Sequence, residues 1–181
     1  VTAMAPNTSG LATTLAEHPK MITRGFVKST ILATIFVLIV LYVSFRRHLD
    51  VLTSSLPLAM GAIIMCGAMP WLGLAFNHAN IVVVPLLLGL GLEASAHIVE
   101  RQRDSAREHG GVAKLDEVLG GTGSAVFVGT LTTVWGFSAM MMADYNAMYW
   151  LGLVMTIGKM AALASSLLVL PAIYVVLKKA V

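Results

Sequence analysis

Long apolar runs separated by short polar segments dominate this chain. Five runs are long enough to be membrane-spanning helices, at about 30–45, 52–74, 81–99, 124–142 and 148–177. An α-helix needs about 20 mostly apolar residues to cross the roughly 30 Å hydrocarbon core of a bilayer. The pattern therefore predicts an all-α fold, a polytopic membrane bundle of five transmembrane helices over residues 30–177.

The polar segments define the remaining organisation. Residues 1–29 are predicted to be a soluble or interfacial lead-in from a periplasmic domain, with a basic stretch at Met21–Lys28. Residues 100–123 form the longest internal polar segment and are predicted to be a loop, with a short surface helix near Leu115–Leu119. Short turns are expected at Phe76–Asn80 and Ala143–Asn146.

Composition supports the membrane interpretation. The 181 residues are 57% hydrophobic and 12% charged, whereas a soluble domain has about 25% charged residues. The basic pI, about 9.2, comes mostly from cations in short loops, so it indicates membrane topology and not a nucleic-acid partner. The single cysteine, Cys66, has no partner for an internal disulfide.

The distribution of cations predicts orientation. With five spans, one side of the membrane receives most of the basic residues outside the lead-in: Arg46, Arg47, Arg101, Arg103, Arg107, Lys114, Lys178 and Lys179. Cytoplasmic loops carry an excess of Lys and Arg, so this side and the C-terminus are predicted to be cytoplasmic.

Glu93 interrupts the third apolar run and is the main functional candidate. A carboxylate at the centre of a membrane helix costs about 3 kcal/mol on insertion scales, so such an acid suggests a functional site. At 1.5 Å per residue, Glu93 lies roughly 18 Å from the outer end of its span and Lys159 roughly 16 Å from the outer end of the last span. Thr130, Thr132 and Thr133 lie at roughly 14–18 Å. The spacing thus predicts one polar layer near the membrane midplane.

On the third span, Glu93, His97 and Glu100 follow an i, i+4, i+7 pattern and share one helix face. This arrangement predicts a proton track from a buried acid through an imidazole to a carboxylate at the cytoplasmic end. We accordingly expect a proton relay comprising Glu93, Thr132, Thr133, His97 and Lys159.

A structural interpretation exists for each of these residues. Glu93 would be a static partner for Lys159 or a hydroxyl group, and His97 a packed or interfacial residue. Lys159 would extend to the interface or meet an acid from another part of the protein. Thr132 and Thr133 would bond to carbonyl groups of their own helix.

Motifs for soluble catalysis are not evident. Glu93 and His97 have metal-ligand spacing but lack a third ligand, so no metal site is predicted. The glycine-rich segments Gly89–Gly91 and Gly120–Gly123 lack the Lys-Ser/Thr of a phosphate loop. The sequence predicts no cofactor and no enzymatic activity.

Three motifs resemble the resistance–nodulation–division (RND) superfamily, in its mycobacterial-membrane-protein-large branch. Leu86–Arg101 resembles the fourth-helix signature, a Gly-x-Gly-x-acid run followed by His and Arg. Leu131–Phe137 resembles the fifth-helix Leu-Thr-Thr-x-x-Gly-Phe, and Leu170-Pro171-Ala172 the end of the sixth helix. Glu93 and Ala94 stand where the family usually has Asp and Tyr.

The resemblance implies helices two to six of one six-helix half, comparable to a sterol-sensing domain. The glutamate variant is similar to the C-terminal half of bacterial hopanoid-associated transporters. It implies an inner-membrane exporter that moves hopanoid-like lipids toward the outer membrane with proton-motive force. The expected partners are lipid, protons, the membrane and the remainder of the transporter, with a homo-oligomer as family precedent.

Two other functions remain open at this point. A lipid-binding or sensing module without proton coupling has the same architecture. A purely structural membrane anchor would leave the insertion cost of Glu93 and Lys159 unexplained.

Overall fold

The computed structural model describes residues 11–74, 81–111 and 113–179, with side chains between residues 24 and 175 of these ranges. Six α-helices follow one another: α1 Leu11–Phe45, α2 His48–Trp71, α3 Val83–Glu108, α4 Leu115–Glu117, α5 Ser124–Ala139 and α6 Asn146–Lys179. A π-helical turn, Val118–Gly123, joins α4 to α5, and a 3₁₀ turn, Met140–Met142, extends α5. Residues 1–10 of the predicted lead-in and the whole predicted turn 76–80 lie outside the described residues.

Five helical segments are long and apolar enough to cross a membrane, within the described part of the chain: Arg24–Phe45, His48–Trp71, Val83–Glu108, Leu115–Met142 and Asn146–Val175. The surface carries large apolar side chains such as Trp71, Trp135 and Phe36. Such extensive apolar exposure is rare on soluble monomers and is typical of a surface in contact with lipid. The predicted polytopic all-α bundle is confirmed, and the protein is a multi-pass membrane protein.

The largest differences between the helices and the predicted spans are at the start of α1 and at the end of α3. α1 already includes Leu11, so residues 11–29 of the predicted lead-in and the first span form one helix. α3 continues to Glu108, well beyond the predicted end of its span at residue 99. Its last turns contain good helix formers and an i, i+3 pair between Asp104 and Arg107 at 3.7 Å, so polarity ends the membrane span there without ending the helix.

α6 is the central helix and packs against α2, α3 and α5, while α1 packs against α3 and α2. Close packing of α2 on α6 depends on Gly61, where an added Cβ would lie 2.8 Å from the Cβ of Ala162. α1 and α5 are mostly exposed, whereas half of the apolar stretch of α6 is buried. α6 is thus the most buried helix of the bundle, and the outer faces of α1 and α5 are exposed.

The link from α1 to α2 is a sharp turn. It lies at the end of the bundle that carries Arg46, Arg47, Arg103 and Arg107, which we call the basic end. Arg46 has a φ of 53°, the left-handed conformation that often ends a helix. Nη1 of Arg103 donates a hydrogen bond of 2.8 Å to the carbonyl oxygen of Phe45 and so caps the last turn of α1. These contacts bring the start of α2 close to the end of α3.

The apolar core has two layers. One layer, toward the outer ends of α3 and α6, includes Leu87, Val154 and Met155. The other layer, toward the basic end, includes Ile98 and Leu163. Along α3 and α6 the boundary between the two layers falls at residues 88–93 and 156–162, which is where the polar residues of the candidate site are found.

Candidate functional site

An ion pair between Glu93 and Lys159 joins α3 to α6. Nζ of Lys159 lies 2.6 Å from Oε1 of Glu93. It donates a second hydrogen bond of 2.6 Å to the carbonyl oxygen of Leu90, one turn earlier on α3. Lys159 therefore pairs with Glu93 within this chain, one of the alternatives that the sequence left open.

Close packing around Gly158 holds Lys159 against α3. An added Cβ at Gly158 would lie 3.1 Å from both Cδ2 of Leu87 and Sδ of Met65. A larger residue here would require the side chains of Leu87 and Met65 to move. The backbone of α6 thus lies close enough for the lysine to reach a main-chain carbonyl group of the neighbouring helix.

The two partners of the ion pair have different surroundings. The side chain of Lys159 is 2% exposed, whereas that of Glu93 is 46% exposed. A buried ammonium group depends strongly on its acceptors, because it has lost its hydration. The carboxylate remains accessible from one side, whereas the ammonium group of Lys159 is enclosed by the helices.

Glu93 opens into a cavity of about 380 Å³ between α3 and α5. Its lining residues are Glu93, Ala94, His97, Thr122, Ala125, Val126, Gly129 and Thr130. A cavity of this size with polar groups on both walls has room for several water molecules. The carboxylate of Glu93 is therefore reached from the α5 side of the helix.

Thr130 is a site residue that the sequence analysis placed at the right depth but left out of the relay. It is 2% exposed, and its Oγ1 has no hydrogen-bond partner among the described residues. It lies on the wall of α5 that faces Glu93 across the cavity. Helical spacing from Val126 to Thr130 was the available signal, since residues four apart share a face.

The structure does not bring Thr132 and Thr133 to this cavity. Oγ1 of Thr132 donates to the carbonyl oxygen of Val128 at 3.0 Å, and Oγ1 of Thr133 donates to that of Gly129 at 3.3 Å. Both hydroxyl groups therefore bond within their own helix, the structural interpretation given above.

His97 and Glu100 extend the polar face of α3 toward its basic end. His97 lines the same cavity as Glu93, one helical turn away. Its Nδ1 lies 4.0 Å from Oε2 of Glu100, and both side chains are mostly exposed. The three residues form a continuous polar strip from the ion pair to the end of the membrane span.

A second charged cluster lies at the basic end, away from this cavity. Ligand atoms of Glu108, His109 and Glu117 lie within 4.8 Å of one another. Arg101 approaches both glutamates, at 3.5 and 3.8 Å, and Lys114 lies 3.6 Å from Glu117. Because these cations already balance the carboxylates, the cluster is better described as a surface ion-pair network than as a metal site.

The geometry is thus an ion pair between a buried lysine and a half-exposed glutamate inside a helical membrane bundle, and comparison with known proteins assigns the family. A family model described as Patched SSD matches residues 26–175. The chain belongs to this family. The match covers all five membrane-spanning segments apart from a few terminal residues.

Three relatives are also similar to the chain. The membrane protein MJ1562 of Methanocaldococcus jannaschii is 32% identical over 149 residues, which is 82% of this chain and 38% of that protein. The hopanoid transporter HpnN of Rhodopseudomonas palustris is 25% identical over 93% of this chain and 18% of its own length. HpnN of Burkholderia multivorans is 29% identical over 55% of this chain and 11% of its own length.

These comparisons confirm the predicted resemblance to the membrane half of an RND-type transporter. The chain spans well under half the length of each of these relatives. No solved structure matches the chain with significance.

Proposed function

We propose that this chain is a membrane part of a proton-driven lipid exporter of the RND type, in which Glu93 takes up and releases the transported proton. The observation that carries the proposal is the asymmetric ion pair. Lys159 is buried and depends on Glu93, and Glu93 opens into a cavity that is also lined by His97 and Thr130. Uptake of a proton at Glu93 therefore changes the electrostatic balance of a buried contact between two helices.

Protonation of Glu93 removes the charged acceptor of Lys159 and leaves the hydrogen bond to Leu90 O. Removing one partner of a buried ion pair costs about 3–5 kcal/mol. A charge that crosses the membrane potential provides about 2.3 kcal/mol per 100 mV. Over one transport cycle, a proton that crosses the whole membrane at roughly 130–220 mV supplies a free energy of this size, which is enough to drive a rearrangement of α3 against α6.

The proposed proton path uses the residues around the cavity. His97 lies between Glu93 and the basic end of α3, and Thr130 offers an unpaired hydroxyl on the opposite wall. The path therefore includes Glu93, His97, Lys159 and Thr130. Thr130 takes the place of Thr132 and Thr133, because the hydroxyl groups of those two residues bond within α5.

The substrate proposal comes from the relatives. Two of them are named hopanoid transporters, so we propose a hopanoid-like lipid as the substrate. The positive-inside rule then favours an inner-membrane location with the basic end and the C-terminus in the cytoplasm. The lipid path would include parts of the transporter beyond the matched region, and these parts are its proposed partner.

The test is transport by the complete protein in proteoliposomes with an imposed pH gradient. Glu93→Gln is expected to abolish gradient-driven lipid transport, and Glu93→Asp to reduce it, since the shorter side chain withdraws the carboxylate from Lys159. Glu108→Gln is the matched control, because it makes the same chemical change at an exposed position of α3. Normal transport by Glu93→Gln would eliminate the relay.

The family match favours one alternative, a lipid-binding or sensing module without proton coupling, because the matching model describes an SSD. The two functions differ in their response to the proton gradient. Lipid binding independent of pH, together with lipid movement unaffected by a protonophore, would support the sensing module and contradict the exporter.

A further inference from the structure

A second cavity lies at the basic end of the bundle and shares no lining residue with the Glu93 cavity. This cleft has a volume of about 770 Å³ and lies between the first turns of α2 and the last turns of α3 and α6. The charged residues in its wall are Arg47, Asp50, Arg103 and Arg107. Three arginines against one aspartate make the cleft cationic.

One of these arginines is held in place and still has free donors. Nη1 of Arg103 is bonded to the carbonyl oxygen of Phe45 at 2.8 Å, and a guanidinium group has five N–H donors in a fixed geometry. Arg107 makes only a loose, exposed pair with Asp104 at 3.7 Å. The guanidinium groups of this cleft are therefore available to an anion.

Two residues of the cleft wall each have a buried polar atom without a partner among the described residues. These atoms are Nε2 of Gln102, a residue that is 6% exposed, and Oδ2 of Asp50. Both residues line the cleft. Buried polar atoms in folded proteins nearly always have a hydrogen-bond partner, so the wall of the cleft has an unused donor at Gln102 and an unused acceptor at Asp50.

The start of α2 adds to the positive potential. Leu49 and Asp50, in its first turn, line the cleft, and no side chain caps the N-terminus of this helix. The first N–H groups of a helix have no acceptor within the helix and favour anions.

Most of the remaining wall is apolar and includes Val99, Leu170 and Ile173, with Thr53 and Tyr174 as its polar members. A soluble anion gains nothing from such a wall, whereas an acyl chain does. The cleft also lies at the ends of three membrane-spanning helices, where lipid headgroups are found. Basic pockets between membrane helices on the cytoplasmic side are typical sites for phosphorylated headgroups.

We propose that this cleft binds the headgroup of an anionic glycerophospholipid. The phosphate accepts hydrogen bonds from Arg47, Arg103 and Arg107 and from Nε2 of Gln102. A headgroup hydroxyl, as in phosphatidylglycerol, donates to Oδ2 of Asp50, and an acyl chain follows the apolar wall. This lipid is a bound regulator or anchor, and its binding requires no proton coupling at Glu93.

The test measures binding of phosphatidylglycerol and phosphatidylcholine to the purified protein in neutral detergent by native mass spectrometry. The wild type is expected to prefer phosphatidylglycerol. The Arg47→Gln, Arg107→Gln double variant is expected to bind it about 25-fold more weakly, from about five-fold per arginine. Arg101→Gln removes the same charge from α3 but faces Glu108 and Glu117, so it is expected to change binding less than about two-fold.

Gln102→Leu separates binding from folding. Leucine has a volume similar to that of glutamine and no polar group to leave unpaired. The lipid-free protein is therefore expected to keep or raise its melting temperature. Stabilisation by added phosphatidylglycerol is expected to fall. A lowered melting temperature with normal lipid stabilisation would mean that Gln102 is structural and would contradict its role in the site.

Three outcomes would overturn the proposal as a whole. Equal binding of the two lipids would show that the cleft does not recognise anionic headgroups. An Arg101→Gln loss as large as that of the double variant would indicate general surface attraction. Displacement of phosphatidylglycerol by an equal concentration of inorganic phosphate would identify a soluble anion as the ligand.

Discussion

The ion pair in the middle of the bundle and the charged network at its basic end use the same residue types in opposite surroundings. Lys159 and Glu93 are 2.6 Å apart, and the lysine side chain is 2% exposed. In the network, Arg101, His109 and Lys114 approach Glu108 and Glu117 at 3.5–3.8 Å, with side chains that are 28–57% exposed.

The difference shows where a change of charge has consequences. Each exposed pair contributes about 0–1 kcal/mol, because water and salt screen it and several cations share the carboxylates. Lys159 has two acceptors, Glu93 and Leu90 O, and no access to water. Loss of one acceptor is therefore expected to matter at mid-depth and to be tolerated at the surface.

The largest expected effect is that of Glu93→Ala. It leaves Lys159 buried without a charged partner, so we expect the free energy of unfolding to fall by about 3–5 kcal/mol. The measurement is equilibrium unfolding in mixed detergent micelles. Glu108→Ala, on the same helix in the network, is expected to cost no more than about 1 kcal/mol. Equal losses of unfolding free energy in the two variants would contradict the difference between the ion pair and the network.

The second prediction concerns the pair as a unit. Adding Lys159→Met to Glu93→Ala is expected to recover about 3 kcal/mol, because the unpaired charge is replaced by an apolar side chain of similar length. Lys159→Met alone is expected to cost less than Glu93→Ala, since the carboxylate it leaves behind still opens into the cavity. Additive effects in this double-mutant cycle would contradict direct pairing.

The third prediction tests the packing that keeps α6 close to its neighbours. At Gly61 an added Cβ meets the Cβ and backbone of Ala162 at 2.8–3.1 Å, so Gly61→Ala is expected to cost about 1–3 kcal/mol. Gly67 lies on the same helix with nothing within 4 Å of an added Cβ. Gly67→Ala is expected to be neutral or to stabilise by up to about 1 kcal/mol. Thermal unfolding in detergent compares the two variants.

The smallest effect is expected in the network itself. Glu117 lies near Arg101, His109 and Lys114, yet Glu117→Gln is expected to cost at most about 1 kcal/mol. The cost is expected to decrease in roughly 1 M salt, where screening acts over about 3 Å. A large loss that is insensitive to salt would show that the network is as tightly coupled as the buried pair.

Sequence reasoning went furthest where one-dimensional spacing carries the information. The five spans follow from run length, and the common depth of Glu93 and Lys159 follows from the rise per residue. The same reasoning did not separate Thr130 from Thr132 and Thr133, because all three lie within one turn at similar depth. The direction in which each side chain points around the helix axis decides between them. Successive residues differ in this direction by about 100°.

The sequence by itself determined that this is a membrane bundle with charged groups at mid-depth, because apolar length and helical rise are properties of the chain alone. The tertiary structure decided that Lys159 meets Glu93 and not an acid elsewhere, that Thr130 faces the cavity, and that a cationic cleft opens between α2, α3 and α6. These features depend on helix rotation and on how closely helices approach. Residues far apart in sequence, such as Gly61 and Ala162, determine the helix rotation and the distance between helices.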